Sequence, residues 1–455
     1  MKLDRRRIFA ALAGAAGVAA APAEALPAAA REFTPRAEID ALSLGIRPSA
    51  TEDQTAAFQR AIDQAAAART VLRLPPGAYR AGALTLPPYA AIAGTAGATR
   101  IIMSGGPSLL SAAGSDYVRI NGLVLDGANI QLPERRGLLH LAQGRALRIA
   151  DCEIVNAGGN GIALEAIEGE VTGNSIVAAD AAIFSLDARG LRIAGNVVRG
   201  AGNGGILVWR SETGDDGTLV VDNRIEDIMN KAGGSGQYGN AIGIFRAGNV
   251  IVRGNRIRNA AFSAVRGNAA SNLQIVGNNC TGLGEVALYA EFGFEGALIA
   301  NNIVDGAALG VSVTNFNQGG RLAVVQGNLI RNLVGRRPPG TDPKDLAGVG
   351  IGIEADTVVN GNVVENAPHA GIAAGWGAYL RDVAISANLI RGVEFGITVS
   401  VAPGAGAAVI ADNMISGVRS GAIVGMEWNK PVTGDLSKDG AARYAQLSIG
   451  GNRVR

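Results

Sequence analysis

The sequence predicts an all-β solenoid, a single-stranded parallel β-helix of about 13 or more coils with an N-terminal capping α-helix. Two observations support this prediction. An asparagine flanked by apolar residues recurs over most of the chain, usually every 22 to 27 residues. The composition, with 65 glycines in 455 residues and only 4% aromatic residues, indicates short strands separated by tight bends.

The repeat is built around one slot per coil, and eleven of the thirteen slots hold Asn. An apolar residue stands three positions before every slot, and another stands two positions after it. The slots are Leu123, Cys152, Asn174, Asn196, Asn223, Asn255, Asn278, Asn302, Asn328, Asn362, Asn388, Asn413 and Asn452. A second apolar run follows the slots, usually led by a small residue as in Gly205-Ile206. These short runs are rich in β-branched residues, which is typical of strands.

Stacking of equivalent positions explains the repeat. In a parallel β-helix each strand pairs with its equivalent one coil further on, about 4.8 Å away, so that each position forms a column along the axis. Inward columns must be apolar because they form the core. Asn tolerates the left-handed backbone angles of a bend, and its carboxamide can donate to one coil and accept from the next. We therefore expect the Asn column to be a structural ladder and not a binding site.

The sequence divides into a cap and a repeat region. Residues 26–104 are predicted to form the N-terminal cap and the first coils, with a helix at about 53–68 whose apolar face covers the open end of the stack. Residues 105–455 carry the β-helix repeats. The period is broken by loop insertions near 229–239, 335–347 and 427–445, and loops on a rigid scaffold often build or cover a binding surface.

The N-terminus predicts export. Residues 1–25 have the features of a twin-arginine signal peptide, with the pair Arg6-Arg7 before Ile8-Phe9 and a small-x-small cleavage site at Ala23-Glu24-Ala25. The alternative is an ordinary secretory signal. The Ala-rich stretch that follows the arginines is too short to span a membrane, and no later run is long enough. We expect a periplasmic or secreted protein, exported folded by the twin-arginine route, without a membrane span.

Charge and cysteine content exclude several classes of protein. The net charge is only +2, and acidic and basic residues are interleaved, which gives no electrostatic case for binding nucleic acid or an anionic membrane. Cys152 and Cys280 stand about five coils apart, or roughly 24 Å. That separation is far beyond the reach of a disulfide, so both thiols are expected to stay reduced and buried.

The start of the chain resembles a known superfamily. The segments from Asp53 to Asp63 (DQTAAFQRAID) and from Leu74 to Tyr79 (LPPGAY) resemble the entry segment of pectate-lyase-type and tailspike domains, in the pectin-lyase-like superfamily of right-handed parallel β-helices. With the arginine signal and the Asn repeats, the whole chain also resembles twin-arginine-translocated repeat proteins of uncharacterised function. The resemblance implies a right-handed β-helix. It does not assign an activity, because this fold hosts lyases, hydrolases, epimerases and pure binders.

Candidate site residues follow from the stacking. Residues after the second apolar run should share one exterior face, and they combine aromatic rings with charged and polar groups, which suits an elongated glycan. The candidate catalytic residues are His369, Arg266, Glu291 and Glu354. The candidate substrate-binding residues are Trp209, Phe245, Tyr289, Asn315 and Trp376. The alternative is that these residues support the inserted loops.

The sequence favours an exported protein that binds or processes a polysaccharide along one lateral face. Lyase, epimerase or hydrolase action on an acidic glycan is the expected chemistry if the protein is an enzyme. The alternative is a non-catalytic envelope scaffold or protein-interaction module. No metal site or other cofactor is predicted. A Ca²⁺ site is the alternative, but it has no support, because it needs several acidic ligands on one face and no compact acidic cluster stands in the sequence. A monomer is expected, with association through the C-terminal edge as the alternative.

Overall fold

The computed structural model describes residues 35–455 apart from 36, 50, 178–179, 235, 340 and 343–344. The predicted signal peptide lies outside these residues. The described chain is a parallel β-solenoid of about 14 turns with one α-helix, which confirms the predicted fold class. The helix, Thr55–Ala67, buries Phe58, Ala61 and Ile62 against the first coils. It stands where the apolar periodicity placed it.

Each coil contributes strands to three parallel sheets, and sheet A contains the strands that precede the Asn slots. Its strands, some of which continue from sheet C around a corner, are Glu38–Asp40, Val71–Arg73, Ala91–Ala93, Arg119–Asn121, Gly137–Ala150, Asn160–Thr172, Arg192–Ala194, Leu219–Val221, Ile251–Arg253, Leu273–Val276, Glu295–Ala300, Arg321–Gln326, Ala355–Asn360, Arg381–Ser386, Ala408–Ala411 and Leu447–Gly450.

Sheet B contains the strands that follow the slots. They are Gly77–Ala81, Thr99–Met103, Val124–Asp126, Glu153–Val155, Ser175–Val177, Val197–Arg199, Arg224–Ile228, Arg256–Ala260, Asn279–Leu283, Ile303–Asp305, Leu329–Arg331, Val363–Glu365, Leu389–Ser400, Met414–Glu427 and Arg453–Val454. Two of them, Leu389–Ser400 and Met414–Glu427, continue around the next corner into sheet C.

Sheet C completes each coil. Besides the shared strands named above, it contains Leu84–Thr85, Leu110–Ala113, Ala181–Leu186, Gly204–Asp215, Asn240–Gly248, Val265–Asn268, Val286–Glu291, Leu309–Thr314, Val349–Ile353, Ala370–Ala374 and Lys430–Asp435. Lys430–Asp435 returns antiparallel to the last parallel strand of the sheet. The loops at 229–239 and before Val349 leave the coil between sheets B and C, so they stand next to the edge of sheet C.

The Asn slots form the expected ladder. Asn255 donates from both its backbone N–H and its Nδ2 to Oδ1 of Asn278, each at 3.0 Å. Nδ2 of Asn278 in turn reaches the backbone oxygen of Val252 at 3.0 Å. The same pattern runs from Asn174 to Asn452. The ladder holds neighbouring coils in register, which confirms its structural role.

The two cysteines occupy buried places in this core. Cys152 stands in the ladder, where its backbone N–H donates to Asn174 Oδ1 at 3.0 Å. Both thiols are buried and unpaired with one another. Burial raises the pKa of each thiol to about 12, so neither is a reactive thiolate at neutral pH. The prediction of two reduced, buried cysteines is confirmed.

The last parallel strand of sheet C, Met414–Glu427, is covered by the segment that follows it. Leu436 is buried in the main core after the antiparallel strand. The Asp435 carboxylate accepts the N–H groups of Ala422 and Ile423 at 3.0 and 3.1 Å. Tyr444 packs partly buried against the same core. Residues 427–445 therefore fold over the edge of sheet C at this end of the stack.

Candidate functional site

The outer face of sheet C carries most of the predicted site residues. Along each strand its positions alternate with inward residues such as Ile206, Ile242 and Leu288, which are fully buried. The outward residues stack in three columns, which we call leading, middle and trailing. The leading column contains Val286, Leu309, Val349, Ala370 and Phe395. The middle column contains Phe184, Leu207, Gly243, Arg266, Tyr289, Ser312, Gly352 and Ala373. The trailing column contains Glu165, Leu186, Trp209, Phe245, Asn268, Glu291 and Thr314.

An ion pair stands at the centre of this face. Arg266 binds Glu291 through two parallel hydrogen bonds, Nε to Oε1 at 2.7 Å and Nη2 to Oε2 at 3.0 Å. Asn268 donates to the same Oε1 at 2.8 Å. The Arg266 guanidinium also lies 5.2 Å from the centre of the Tyr289 ring. Because the Glu291 side chain is only 1% exposed, both its oxygens are committed to these neighbours.

A loop arginine extends the charged cluster. Arg337 binds Glu285 at 3.1 Å and Asp345 at 3.4 Å. Its Nε donates to the backbone oxygen of Leu346 at 2.8 Å. Glu285 in turn lies 3.8 Å from Arg266. The insertion predicted near 335–347 is thus anchored to the sheet by its own arginine, which is itself largely buried.

The first cavity on this face is aromatic. It has a volume of about 300 Å³ and is lined by Trp209, Phe245, Arg266 and Asn268, together with Gly236 and Gln237 from the loop at 229–239. Trp209 packs edge-on to Phe245, with 5.8 Å between the ring centres. The neighbouring coil adds Phe184, whose ring centre is 5.4 Å from that of Trp209. The cavity therefore combines a ring wall with hydrogen-bonding groups.

The second cavity carries a half-buried carboxyl group. Its volume is about 310 Å³, and its lining includes Tyr289, Glu354, Trp376 and, from the loop, Arg337 and Asp345. Glu354 Oε2 accepts the backbone N–H groups of Asn315 and Phe316 at 2.9 and 3.0 Å. These two bonds fix the carboxyl group against the cavity wall.

Burial perturbs three acidic groups in and beside the second cavity. Burial raises the pKa of Glu354, although the N–H groups of Phe316 and Asn315 oppose the rise. Burial also raises the pKa of Glu285, against the attraction of Arg266 and Arg337. For Tyr289, burial raises the pKa of the phenol, and the charge of Glu291 adds to the rise. Burial therefore shifts all three groups toward their protonated forms.

The structure brings seven predicted site residues around these two cavities, whereas the side chains of Asn315 and His369 line neither of them. Asn315 is buried, and its carboxamide exchanges hydrogen bonds with the backbone of Ala355 at 2.8 and 3.0 Å. His369 precedes the strand Ala370–Ala374, whereas Trp376 follows that strand. The imidazole packs edge-on to Phe395 with 5.7 Å between ring centres. Burial lowers the pKa of His369, and Glu394 opposes the change.

Several residues of the face were not predicted from the sequence. Glu285 and Arg337 complete the charged cluster, and Trp428 packs edge-on to Trp376 with 5.9 Å between ring centres. Trp428 belongs to the third insertion, and Arg337 belongs to the second. The feature of the sequence that could have pointed to Arg337 and Trp428 is their position in segments that interrupt the Asn repeat. The chain has three tryptophans, and all of them lie on this side of the solenoid.

In the described part of the chain, neither a metal-binding cluster nor a membrane-spanning helix is found. No group of three or more His, Cys, Asp or Glu residues there is arranged to hold a metal ion. No helix among the same residues is long and apolar enough to cross a membrane.

Comparison with known proteins concerns the fold. A family model for the right-handed β-helix region matches residues 205–390. A search of curated proteins found no match. PfbA, a surface adhesin of Streptococcus pneumoniae, is 14% identical over 87% of this chain and 94% of its own, with a TM-score of 0.52.

Two enzymes align over similar lengths. The A-module of the mannuronan C-5 epimerase AlgE4 from Azotobacter vinelandii is 16% identical over 90% of this chain and 100% of its own, with a TM-score of 0.42. The catalytic unit of a GH87 alpha-1,3-glucanase from Streptomyces thermodiastaticus is 16% identical over 92% of this chain and 69% of its own, with a TM-score of 0.39. At such identities the likeness is one of fold alone, and the PfbA alignment together with the family model makes this chain a right-handed parallel β-helix.

Proposed function

We propose that the outer face of sheet C binds a polysaccharide. The observation that carries the proposal is that the three tryptophans and both cavities described above lie on this one face. Trp209 and Trp376 are about six coils apart, or roughly 29 Å, which suits an elongated ligand. Ring faces offer stacking surfaces to sugars, while the amides and charged groups offer hydrogen bonds to hydroxyl groups. The predicted signal peptide makes export part of the same proposal.

The charge balance of the face favours an uncharged glycan over the acidic glycan expected from the sequence. Two guanidinium groups, those of Arg266 and Arg337, stand among the carboxyl groups of Glu285, Glu291, Asp342, Asp345 and Glu354. Both guanidinium groups are already paired with carboxylates. A uronate seated beside this cluster would therefore meet carboxylates, and neither of the two guanidinium groups of the cluster is free to receive it.

A glycan-binding assay tests the proposal. The protein is titrated with uncharged and uronic-acid oligosaccharides while its tryptophan fluorescence is followed. We expect a fluorescence change with the uncharged series and a weaker response with the uronic-acid series. The Trp209→Ala variant should bind the same oligosaccharides about fivefold more weakly, since one lost ring contact is worth roughly 1 kcal/mol.

The Arg331→Ala variant, which alters the outer face of sheet B, is the matched control and should bind like the wild-type protein. Equal losses in the two variants would contradict the placement of the site. The absence of binding across the whole panel would contradict glycan binding and favour the scaffold alternative.

Glu354 supports a second candidate function, acid catalysis on the bound glycan. Its carboxyl group lines the second cavity, and burial raises its pKa, as a general acid requires. The Glu354→Gln variant keeps an oxygen for the two backbone N–H groups but cannot donate a proton. If Glu354 is the acid, the variant should retain binding and lose at least about 100-fold in the rate of glycan cleavage or modification. An unchanged rate would exclude this role.

A further inference from the structure

Trp428 occupies an unusual position at the tip of a hairpin. The strands Met414–Glu427 and Lys430–Asp435 pair antiparallel, with Glu427 opposite Lys430, so that Trp428 is the first residue of a two-residue turn. Its φ of 57° is a left-handed value that such turns normally give to glycine. The side chain is nevertheless large, apolar and 50% exposed. An exposed tryptophan at the tip of a hairpin is a candidate for contact with a ligand.

The ring of Trp428 is held in a fixed orientation. A Cβ atom added to Gly377 would lie 2.5 to 2.6 Å from three consecutive atoms of the six-membered ring. Gly377 therefore lies against the ring and provides its seat. Trp376 and Tyr379 contact the ring nearly at right angles, with centres 5.9 and 6.3 Å away and interplanar angles of 77° and 82°. These contacts immobilise the ring while half of the side chain stays open to solvent.

We propose that Trp428 is a stacking platform for a sugar ring of the glycan, directly beside the second cavity. This inference rests on the proposed binding of a polysaccharide to sheet C. The inference is supported by the contact that joins Trp428 to the second cavity. Trp376 both lines that cavity and contacts Trp428. A ring that is already immobilised loses little further entropy when a ligand stacks on it. A long glycan seated in the cavity therefore extends over Trp428, whereas a short one ends before it.

Chain-length dependence tests the platform. Wild-type protein and the Trp428→Ala variant are titrated calorimetrically with the disaccharide and the octasaccharide of the uncharged series that binds best. We expect the variant to lose about three- to tenfold in affinity for the octasaccharide and nothing for the disaccharide. The Gly377→Ala variant, which keeps the indole but displaces it from its seat, should show the same selective loss.

The Val432→Ala variant is the control, because Val432 is an exposed apolar residue of the same hairpin. Circular dichroism and thermal unfolding establish that each variant is folded. If Trp428→Ala binds both oligosaccharides like the wild-type protein while Trp209→Ala loses affinity, the platform is overturned and glycan binding stands. If the wild-type protein binds neither sugar, both proposals fall.

Discussion

Sheets B and C share one interior and have very different exteriors. On sheet B, the position three residues after the slot forms an outward column of alternating charge: Arg199, Glu226, Arg258, Thr281, Asp305, Arg331, Glu365 and Arg391. Ion pairs join neighbours along it, including Arg331 with Asp305 at 2.9 Å and Arg391 with Glu365 at 2.8 Å. These charged groups pair with one another on a solvent-exposed surface.

On sheet C, equivalent outward columns carry aromatic rings and buried ion pairs next to two cavities. The inward residues of both sheets are the same kinds of aliphatic side chain. Stacking of equivalent positions therefore requires aliphatic residues in the interior, whereas the outward residues can differ from one sheet to another. The comparison supports our proposal that sheet C is the functional face, because the charged column of sheet B is paired along its own length.

Removing the central ion pair should produce the largest effect on stability. Arg266→Ala leaves the charge of Glu291 buried with only Asn268 as a partner, and loss of one member of a buried pair typically costs about 3–5 kcal/mol. Urea denaturation followed by circular dichroism measures the change in the free energy of unfolding. A loss below about 1 kcal/mol would show that this pair behaves like an exposed one.

Interrupting the Asn ladder should affect sheets A and B together, because the slots lie at the corner between these two sheets. Asn278→Ala removes the acceptor that receives the backbone N–H and the Nδ2 of Asn255, and each unsatisfied buried group costs about 1–3 kcal/mol. We expect a loss of roughly 2–4 kcal/mol in the same denaturation experiment. Hydrogen exchange should increase in sheets A and B alike around the altered coil, because Asn278 lies at the corner between them. Faster exchange confined to one sheet would contradict the shared role of the ladder.

The pH dependence of stability should distinguish Glu354 from an exposed carboxylate. Its folded-state pKa is raised by burial, so its contribution is favourable at low pH and is lost as the pH rises from about 4 through the folded-state pKa. Relative to the wild-type protein, Glu354→Gln should become progressively more stable between about pH 4 and pH 8. Thermal unfolding across this range measures the difference. A difference that shrinks with rising pH would mean that the pKa is lowered instead.

The smallest effect is expected on sheet B. The Arg331 and Asp305 side chains are 44% and 30% exposed, and pairs of this kind contribute about 0–1 kcal/mol. Arg331→Ala should therefore change the free energy of unfolding by less than about 1 kcal/mol, and salt should reduce even that change. A loss as large as that of Arg266→Ala would remove the distinction between the two faces.

The sequence was sufficient for every feature that follows from stacking. The Asn slots, the apolar runs on either side of them and the outward column from Trp209 to Glu291 all follow from one alignment of the repeat. The same alignment placed Arg266 and Tyr289 on the face, because their spacing from the slots is regular.

Features created by the insertions could not be derived in this way. Arg337 contacts Glu285, and Trp428 contacts Gly377, because of the conformations of the inserted loops. The repeat does not predict these conformations. His369 stands close to Trp376 in sequence, yet the strand Ala370–Ala374 lies between them. Because a β-strand is extended, the two residues lie at its opposite ends. The hydrogen bonds between Arg266 and Glu291 could not be predicted from the sequence either, since stacking brings the two residues near one another without fixing their rotamers.

The structure of the protein with its best-binding oligosaccharide tests the central claim most directly. The ligand should lie on the outer face of sheet C, in contact with Trp209 or Trp376 and with one of the two cavities. A ligand bound to the charged column of sheet B, or to the outer face of sheet A, would contradict the assignment of sheet C as the functional face.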